Sequence, residues 1–140
     1  MIILDTNVLS EMMRVQPNPR VLNWLNVQAS QNLYLTAITV AEILYGIARL
    51  TGGKRKKSLY DIAFAIFDED FSGRIQVFDE YAAAYYAELV VLREQQGFPI
   101  NMADAQIAAI CKNNRATLAT RNTKNFMGLE LNLINPWELS

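Results

Sequence analysis

Three acids in this chain stand where catalysis by charge would need them. Asp5 follows Ile2-Ile3-Leu4. Glu42 comes six residues after Leu33-Tyr34-Leu35-Thr36, inside Thr39-Val40-Ala41-Glu42. Asp104 sits in Asn101-Met102-Ala103-Asp104, ahead of Ile107-Ala108-Ala109-Ile110. None has a Lys or Arg beside it. Carboxylates gathered without counter-charge repel one another, and a hard divalent cation is the usual remedy. Such a cation makes hydrolysis of a charged ester feasible. The chain holds no histidine. That removes the commonest general base and the commonest zinc ligand, and with them serine–histidine hydrolysis and histidine-based RNA transphosphorylation. Any hydrolysis must therefore run on carboxylates or metal-activated water.

The elements that would position these acids alternate. Short β-like runs at Ile2–Leu4, Leu33–Thr36, Ile75–Phe78, Thr117–Thr120 and Leu133–Asn135 are separated by apolar residues at helical spacing. Val8, Leu9 and Met12 predict a short helix after the first strand. Val40, Ile43, Leu44 and Ile47 form one face, and Leu59, Ile62, Ala63, Ile66 and Phe67 another. Tyr85, Leu89 and Leu92 mark a third, and Ile107, Ile110 and Cys111 a fourth. Gly52-Gly53 separates two helices, and Gly97-Phe98-Pro99 ends the long one. The alternation predicts an α/β fold with a parallel sheet flanked by helices. Ligands in such folds bind beyond the carboxyl ends of the strands, the edge where all three acids are expected.

Composition narrows the class. A chain of 140 residues predicts one domain spanning 1–140, and an apolar content of 51% supports a core without disulfides. Cys111 is the single cysteine, which excludes a disulfide framework or cysteine zinc site and fits a reducing, cytoplasmic setting. No apolar run reaches the ~18 residues of a membrane span, and the start at Ile2-Ile3-Leu4-Asp5 shows no basic leader, so neither membrane nor secretion is expected. A formal net charge of −1 argues against a general nucleic-acid coat but not against local phosphate contacts. The basic run Lys54-Arg55-Lys56-Lys57 reads as a solvated helix start, with RNA contact the lesser alternative.

Each acid also has a purely structural reading. Thr39-Val40-Ala41-Glu42 fits a capping box, Asn101 caps a helix with Asp104 in its first turn, and Asp5 caps the helix from Thr6. Capping does not require three acids at one sheet edge; metal binding does. Asp61, Asp68, Glu69, Asp70, Glu88 and Glu94 read as solvated surface, and Asp79 as the cap of the long helix. A receiver-type signalling domain, with Asp79 as phosphoacceptor, is disfavoured. Asp5 is followed by Thr6-Asn7 rather than a second acid, and the fifth strand leads into Pro136-Trp137 rather than a Lys.

Four blocks in order, with a closing Asn135-Pro136-Trp137, resemble the PIN domain. They are Ile3-Leu4-Asp5-Thr6-Asn7-Val8-Leu9, Ile38-Thr39-Val40-Ala41-Glu42-Ile43-Leu44-Tyr45-Gly46, Ala103-Asp104-Ala105-Gln106-Ile107-Ala108-Ala109 and Ala119-Thr120-Arg121-Asn122-Thr123-Lys124-Asn125-Phe126. More narrowly, the chain resembles VapC-type toxins of the FitB-like subgroup. The resemblance implies a five-stranded parallel sheet in the order 3-2-1-4-5. It implies a Mg²⁺- or Mn²⁺-dependent endoribonuclease, the toxin of a type II toxin–antitoxin system, held inactive by a cognate antitoxin. Asp5, Glu42 and Asp104 fall on the family's acidic positions, with Asp5 and Asp104 as metal ligands. Thr6 and Asn7 match its supporting polar residues. A homodimer is expected by analogy and from the apolar content, with Trp24, Tyr85 and Tyr86 as candidate anchors.

One departure stands out. The family's further acid, in the block after the fourth strand, is replaced by Asn at both Asn122 and Asn125. An amide oxygen ligates weakly and brings no charge. The alternative function is accordingly a weak or silent PIN-like module that binds an antitoxin or RNA. Arg121 and Lys124 are candidate phosphate contacts, with ordinary surface charge as their alternative role. In the expected chemistry Glu42 is a ligand through water or an acceptor that orients the attacking water, and no covalent intermediate forms. RNA substrates with unpaired bases follow from the resemblance, because such bases can be reached.

Overall fold

A computed structural model describes residues 1–139; Ser140, the last residue of the expected 1–140 domain, lies outside the described residues. Five strands pair in the order β3-β2-β1-β4-β5, all parallel. They are β1 (Ile2–Leu4), β2 (Leu33–Thr36), β3 (Ile75–Gln76), β4 (Thr117–Ala119) and β5 (Asn132–Ile134). The helices are α1 (Thr6–Met12), α2 (Pro19–Val27), α3 (Ala37–Ala48), α4 (Lys54–Ala65), α5 (Glu80–Gln95) and α6 (Met102–Asn114). α4 widens into a π turn over Ile66–Asp70, and 3₁₀ turns cover Ser30–Asn32 and Thr123–Phe126.

The central strand explains the two-sided core. Successive side chains of a strand point to opposite faces, so Ile3 and Leu4, both fully buried, enter different clusters. Leu4 joins Leu9, Trp24, Leu35, Ile43 and Ile47 under α1–α4. Ile3 joins Leu89, Ile107, Ile110, Leu118 and Phe126 under α5 and α6. A strand covered on both faces reads as an unbroken apolar run, which is why Ile2-Ile3-Leu4 does not alternate.

The strand order reverses at β1. The chain steps from β1 to β2 to β3, then returns past β1 to β4 and β5. β1 and β4 are neighbours in register, with Ile2 opposite Thr117 and Leu4 opposite Ala119. Their carboxyl ends open the crevice where α/β folds bind ligands.

Three local expectations need correction. The third strand pairs only at Ile75–Gln76; Val77 is exposed, and Phe78 leaves the sheet to stack edge-on against Tyr86 at 5.7 Å. The fifth strand lies one residue earlier than expected, because the Asn135 side chain already turns to accept from Trp137 N at 2.9 Å. α2 had no counterpart in the sequence reading. Its signals are Asn18 as N-cap, Pro19 at N1, and buried Val21, Trp24 and Leu25 at helical spacing.

The basic run opens α4, but Lys56 has a structural task. Its Nζ donates to Ala48 O at 3.0 Å and Leu50 O at 3.1 Å, satisfying carbonyls at the end of α3. Trp24 lies in the core at 9% exposure and cannot anchor a partner. Tyr86 is half-buried, whereas Tyr81 and Tyr85 on α5 are exposed. Among the described residues no helix is long and apolar enough to cross a membrane.

Candidate active site

Asp5 is the N-cap of α1, as expected: its Oδ1 accepts from Thr6 N at 2.8 Å. Its backbone N donates to Ala119 O at 2.9 Å, so β1 and β4 stay paired up to the site. Oδ2 accepts from Thr120 Oγ1 at 2.7 Å and from Asn7 Nδ2 at 3.4 Å. Burial nonetheless dominates and pushes its pKa up to about 6; the charges of Asp104 and Glu42 push the same way, against the Thr120 and Thr6 hydrogen bonds.

Glu42 does not sit in a capping box. The N-cap of α3 is Thr36, whose Oγ1 accepts from Thr39 N at 3.1 Å. Thr39 is therefore an interior residue of the first turn, and Glu42 lies a turn further along the helix. Its carboxylate is instead reached by a chain of hydroxyls. Thr36 donates to Thr39 at 3.4 Å, Thr39 and Thr6 lie 3.0 Å apart, and Thr6 donates to Glu42 Oε1 at 2.6 Å. Thr6 can donate only once, so Thr39 donates to Thr6. The relay ties α1 to α3 and orients Glu42.

Asp104 lies in the first turn of α6, whose N-cap is Asn101. The two exchange bonds: Asp104 N donates to Asn101 Oδ1 at 2.8 Å, and Asn101 Nδ2 donates to Asp104 Oδ2 at 2.9 Å. The same oxygen accepts from Asn125 Nδ2 at 3.4 Å. Burial, then the Glu42 charge, raise the Asp104 pKa; the Asn101 bond and, more weakly, Asn125 and Arg93 oppose them.

The three acids share one cleft of about 470 Å³, lined also by Thr6, Asn7, Arg121, Asn122 and Trp137 and by a fourth acid, Glu11, which is paired with Arg14 at 3.4 Å. Lys124 does not line it, and Asn125 lies behind Asp104 in a small hollow beside Arg93 and Asn101. Of the two Asn candidates, Asn122 is thus the one on the acid cleft. Four contributors escaped the sequence reading. Thr120 is fully buried against Asp5. Arg93 is buried and donates to Phe98 O at 2.8 Å and Asn125 O at 2.7 Å, pinning the segments that flank Asp104. Arg14 and Trp137 line the cleft wall. Two of them carried a usable signal: Thr120 ended the expected fourth strand, which stops at Ala119, and Trp137 stood in the closing block that resembles the PIN domain.

The donor set fits a hard cation. The ion pairs among the described residues join Arg14 to Glu11 and Lys57 to Asp61. None of the three acids has a cationic partner, although burial and mutual repulsion disfavour their charge. Among the described residues no three acids converge on a single point tightly enough to cage an ion. Magnesium is typically bound by one or two carboxylates and keeps several waters, so two carboxylates with amides alongside suit it better than a closed cage.

A family model described as PIN domain matches residues 2–127. The chain belongs to the PIN domain family. Relatives of this PIN domain match end to end. It is 46% identical to the plasmid stability protein StbB of Pseudomonas syringae pv. tomato over 99% of each chain. It is 44% identical to Toxin FitB of Neisseria gonorrhoeae, covering 98% of this chain and 99% of that one. Identity to the VapC ribonuclease Y4jK of Sinorhizobium fredii is 39%, again over 99% of each. The crystal structure of FitAcB from Neisseria gonorrhoeae superposes with a TM-score of 0.93, covering 99% of this PIN domain and 100% of that chain.

Proposed function

We propose that this PIN domain is an endoribonuclease and the toxin of a type II toxin–antitoxin system, acting in the cytoplasm with Mg²⁺ or Mn²⁺. The observation that carries the reading is the cleft in which Asp5, Glu42 and Asp104 meet without a cationic partner. End-to-end similarity to Toxin FitB and a VapC ribonuclease supports the same reading.

In the proposed site Asp5 and Asp104 hold the cation. When bound, it supplies charge neutralisation at the phosphodiester and acidifies water. The Thr6 hydroxyl holds one oxygen of Glu42, leaving the other to accept a proton from the attacking water. Asn7 and Thr120 hold the Asp5 carboxylate in one orientation. Asn122 adds a neutral amide on the cleft. Arg14 and Arg121, on the same walls, bring positive charge to a cleft that receives an anionic strand.

The partner is a cognate antitoxin. A second, largely apolar groove of about 650 Å³ between α1, α3 and α4 shares Thr6, Ser10, Arg14 and Glu42 with the acid cleft. A segment seated there would reach the acids and block them. A homodimer is also proposed, through exposed Tyr81 and Tyr85 on α5.

Asn122, neutral where the family tends to carry an acid, favours a second reading as a weakly catalytic or silent binding module. One assay separates the two. Single-stranded and hairpin RNAs are incubated with the purified chain in Mg²⁺, Mn²⁺ or EDTA. Cleavage in the metal buffers alone is expected; RNA binding without turnover in any of them would favour the silent module.

A further inference from the structure

The acid cleft has an aromatic wall that hydrolysis alone does not need. Trp137 packs partly against the core, yet it lines the cleft beside Arg121 and Asn122. The Arg121 guanidinium carbon lies 5.1 Å from the Trp137 ring centroid, a cation–π stack. The pair is pinned from several sides. Arg121 N donates to Asn7 Oδ1 at 3.2 Å, and Asn135 Nδ2 donates to Arg121 O at 3.3 Å. Trp137 N donates to Asn135 Oδ1 at 2.9 Å, and Arg20 Nη1 donates to Trp137 O at 3.2 Å. Asn7 also donates to Asp5 Oδ2 at 3.4 Å. Asn7 therefore links the stack to the first acid at a fixed offset.

We propose that Arg121 and Trp137 form the seat of an unpaired nucleobase next to the scissile phosphate, and so help to set which nucleotides flank the cleaved bond. The proposal rests on the ribonuclease reading and names the part of the substrate that this wall recognises. Every base has a π face, and stacking on aromatic rings or guanidinium planes is how single strands are held. A base inside a duplex has both faces covered and cannot enter. A tryptophan needed only for packing would be buried throughout, as Trp24 is at 9% exposure. An arginine needed only for its charge would not have to lie over a ring.

Trp24 and Trp137 are the only tryptophans in the chain. With Trp24 in the core, a change of emission on ligand addition reports Trp137. The full chain is titrated with octauridylate, octaadenylate and a short RNA duplex, all in EDTA to prevent cleavage. Saturable quenching by at least one single strand, and none by the duplex, is expected. Trp137→Phe should lose the quenching, which identifies Trp137 and not Trp24 as the source of the signal. In metal buffer, Trp137→Leu should raise KM on a single-stranded substrate by about 10-fold or more with kcat changed far less, on the scale of one lost base stack. Arg121 is exposed, so its variants carry little folding risk if Trp137→Leu proves unstable. Arg121→Gln should raise KM by about 3–10-fold, and Arg121→Lys should resemble Gln because an ammonium keeps the charge without the plane.

Cleavage by the wild type with no quenching, and with KM unchanged in Trp137→Leu and Arg121→Gln, would overturn the base seat and leave the ribonuclease reading standing. Arg121→Lys behaving as wild type would reduce Arg121 to a phosphate contact and overturn its share of the seat. A wild type that neither cleaves nor binds RNA would overturn both.

Discussion

Thr120 Oγ1 donates to Asp5 Oδ2 at 2.7 Å, joining the residues that follow two adjacent strands, β1 and β4. The same hydroxyl accepts from Asn122 N at 3.1 Å, so one buried side chain positions both the first acid and the turn that carries Asn122. Thr120→Val removes a bond to a buried carboxylate at nearly constant volume. A loss of about 1.5–3 kcal/mol is expected at pH 8, where Asp5 is charged, and less at pH 4. Because that bond favours the charged form, the Asp5 pKa should rise further and the acid limb of the pH–rate profile should move up with it. Urea melts at both pH values and a pH–rate series check this; a uniform loss with an unmoved profile would reduce Thr120 to packing.

Asp5 itself makes stability depend on pH. Its pKa is about 6 in the folded chain against 3.8 ordinarily, so the folded state binds this proton more tightly than the unfolded one. Its contribution is therefore fully present below about pH 4, falls as pH rises to about 6, and is absent above that. The span corresponds to about 3 kcal/mol at most. In EDTA, Asp5→Asn should melt above the wild type at pH 8 and close to it at pH 4. A wild type as stable as the variant at both pH values would mean that Asp5 does not carry this burden.

Asp5→Asn, Glu42→Gln and Asp104→Asn should each abolish metal-dependent cleavage while keeping the fold. In metal-free buffer the substitutions should be neutral or slightly stabilising, since each relieves like-charge repulsion and keeps an oxygen for the bonds from Thr6 N, Thr6 Oγ1 and Asn101 Nδ2. Helix capping alone predicts a loss of about 0.3–2 kcal/mol for Asp5 and Asp104, which stand at helix starts. Clear losses at both in EDTA melts would sink the metal reading.

The two asparagines after β4 should differ. Asn122→Asp adds a carboxylate beside Asp5, Glu42 and Asp104 on the acid cleft and should tighten Mn²⁺. Asn125→Asp removes a donor to Asp104 Oδ2 and sets a like charge beside it, so it should raise the Asp104 pKa without tightening the ion to the same degree. Asn122→Ala should weaken cleavage only modestly, because water can replace a neutral ligand. Titration calorimetry with Mn²⁺ on all three reads the difference; unchanged affinity in both Asp variants would require the site to be redrawn.

Self-association should run through α5. Tyr81 is 65% and Tyr85 38% exposed, and Leu92 continues the same stripe of the helix. Sedimentation at micromolar concentration should show a dimer, and Tyr81→Glu with Tyr85→Glu should shift it to monomer. A wild type that stays monomeric with and without antitoxin would remove this surface from the account.

The sequence by itself determined what depends on near neighbours. Ile2–Leu4 and Leu33–Thr36 are strands as read, Asp5, Asp79 and Asn101 cap the helices they precede, and Gly52-Gly53 and Gly97 break them. Periods of 2 and 3.6 and the reach of a short polar side chain to the next turn are local, so they survive whatever the fold does. Tertiary structure decided what depends on closure. Thr36 rather than Thr39 caps α3 because β2 ends there, freeing Thr39 and Thr6 to hold Glu42. Asn122 lies on the acid cleft and Asn125 behind it, because a 3₁₀ turn from Thr123 carries the chain away between them. Trp24 and Trp137 are chemically alike, and only packing sends one into the core and the other to the cleft wall. Thr120 meets Asp5 across 115 residues of chain, a pairing that exists only once β1 and β4 lie side by side.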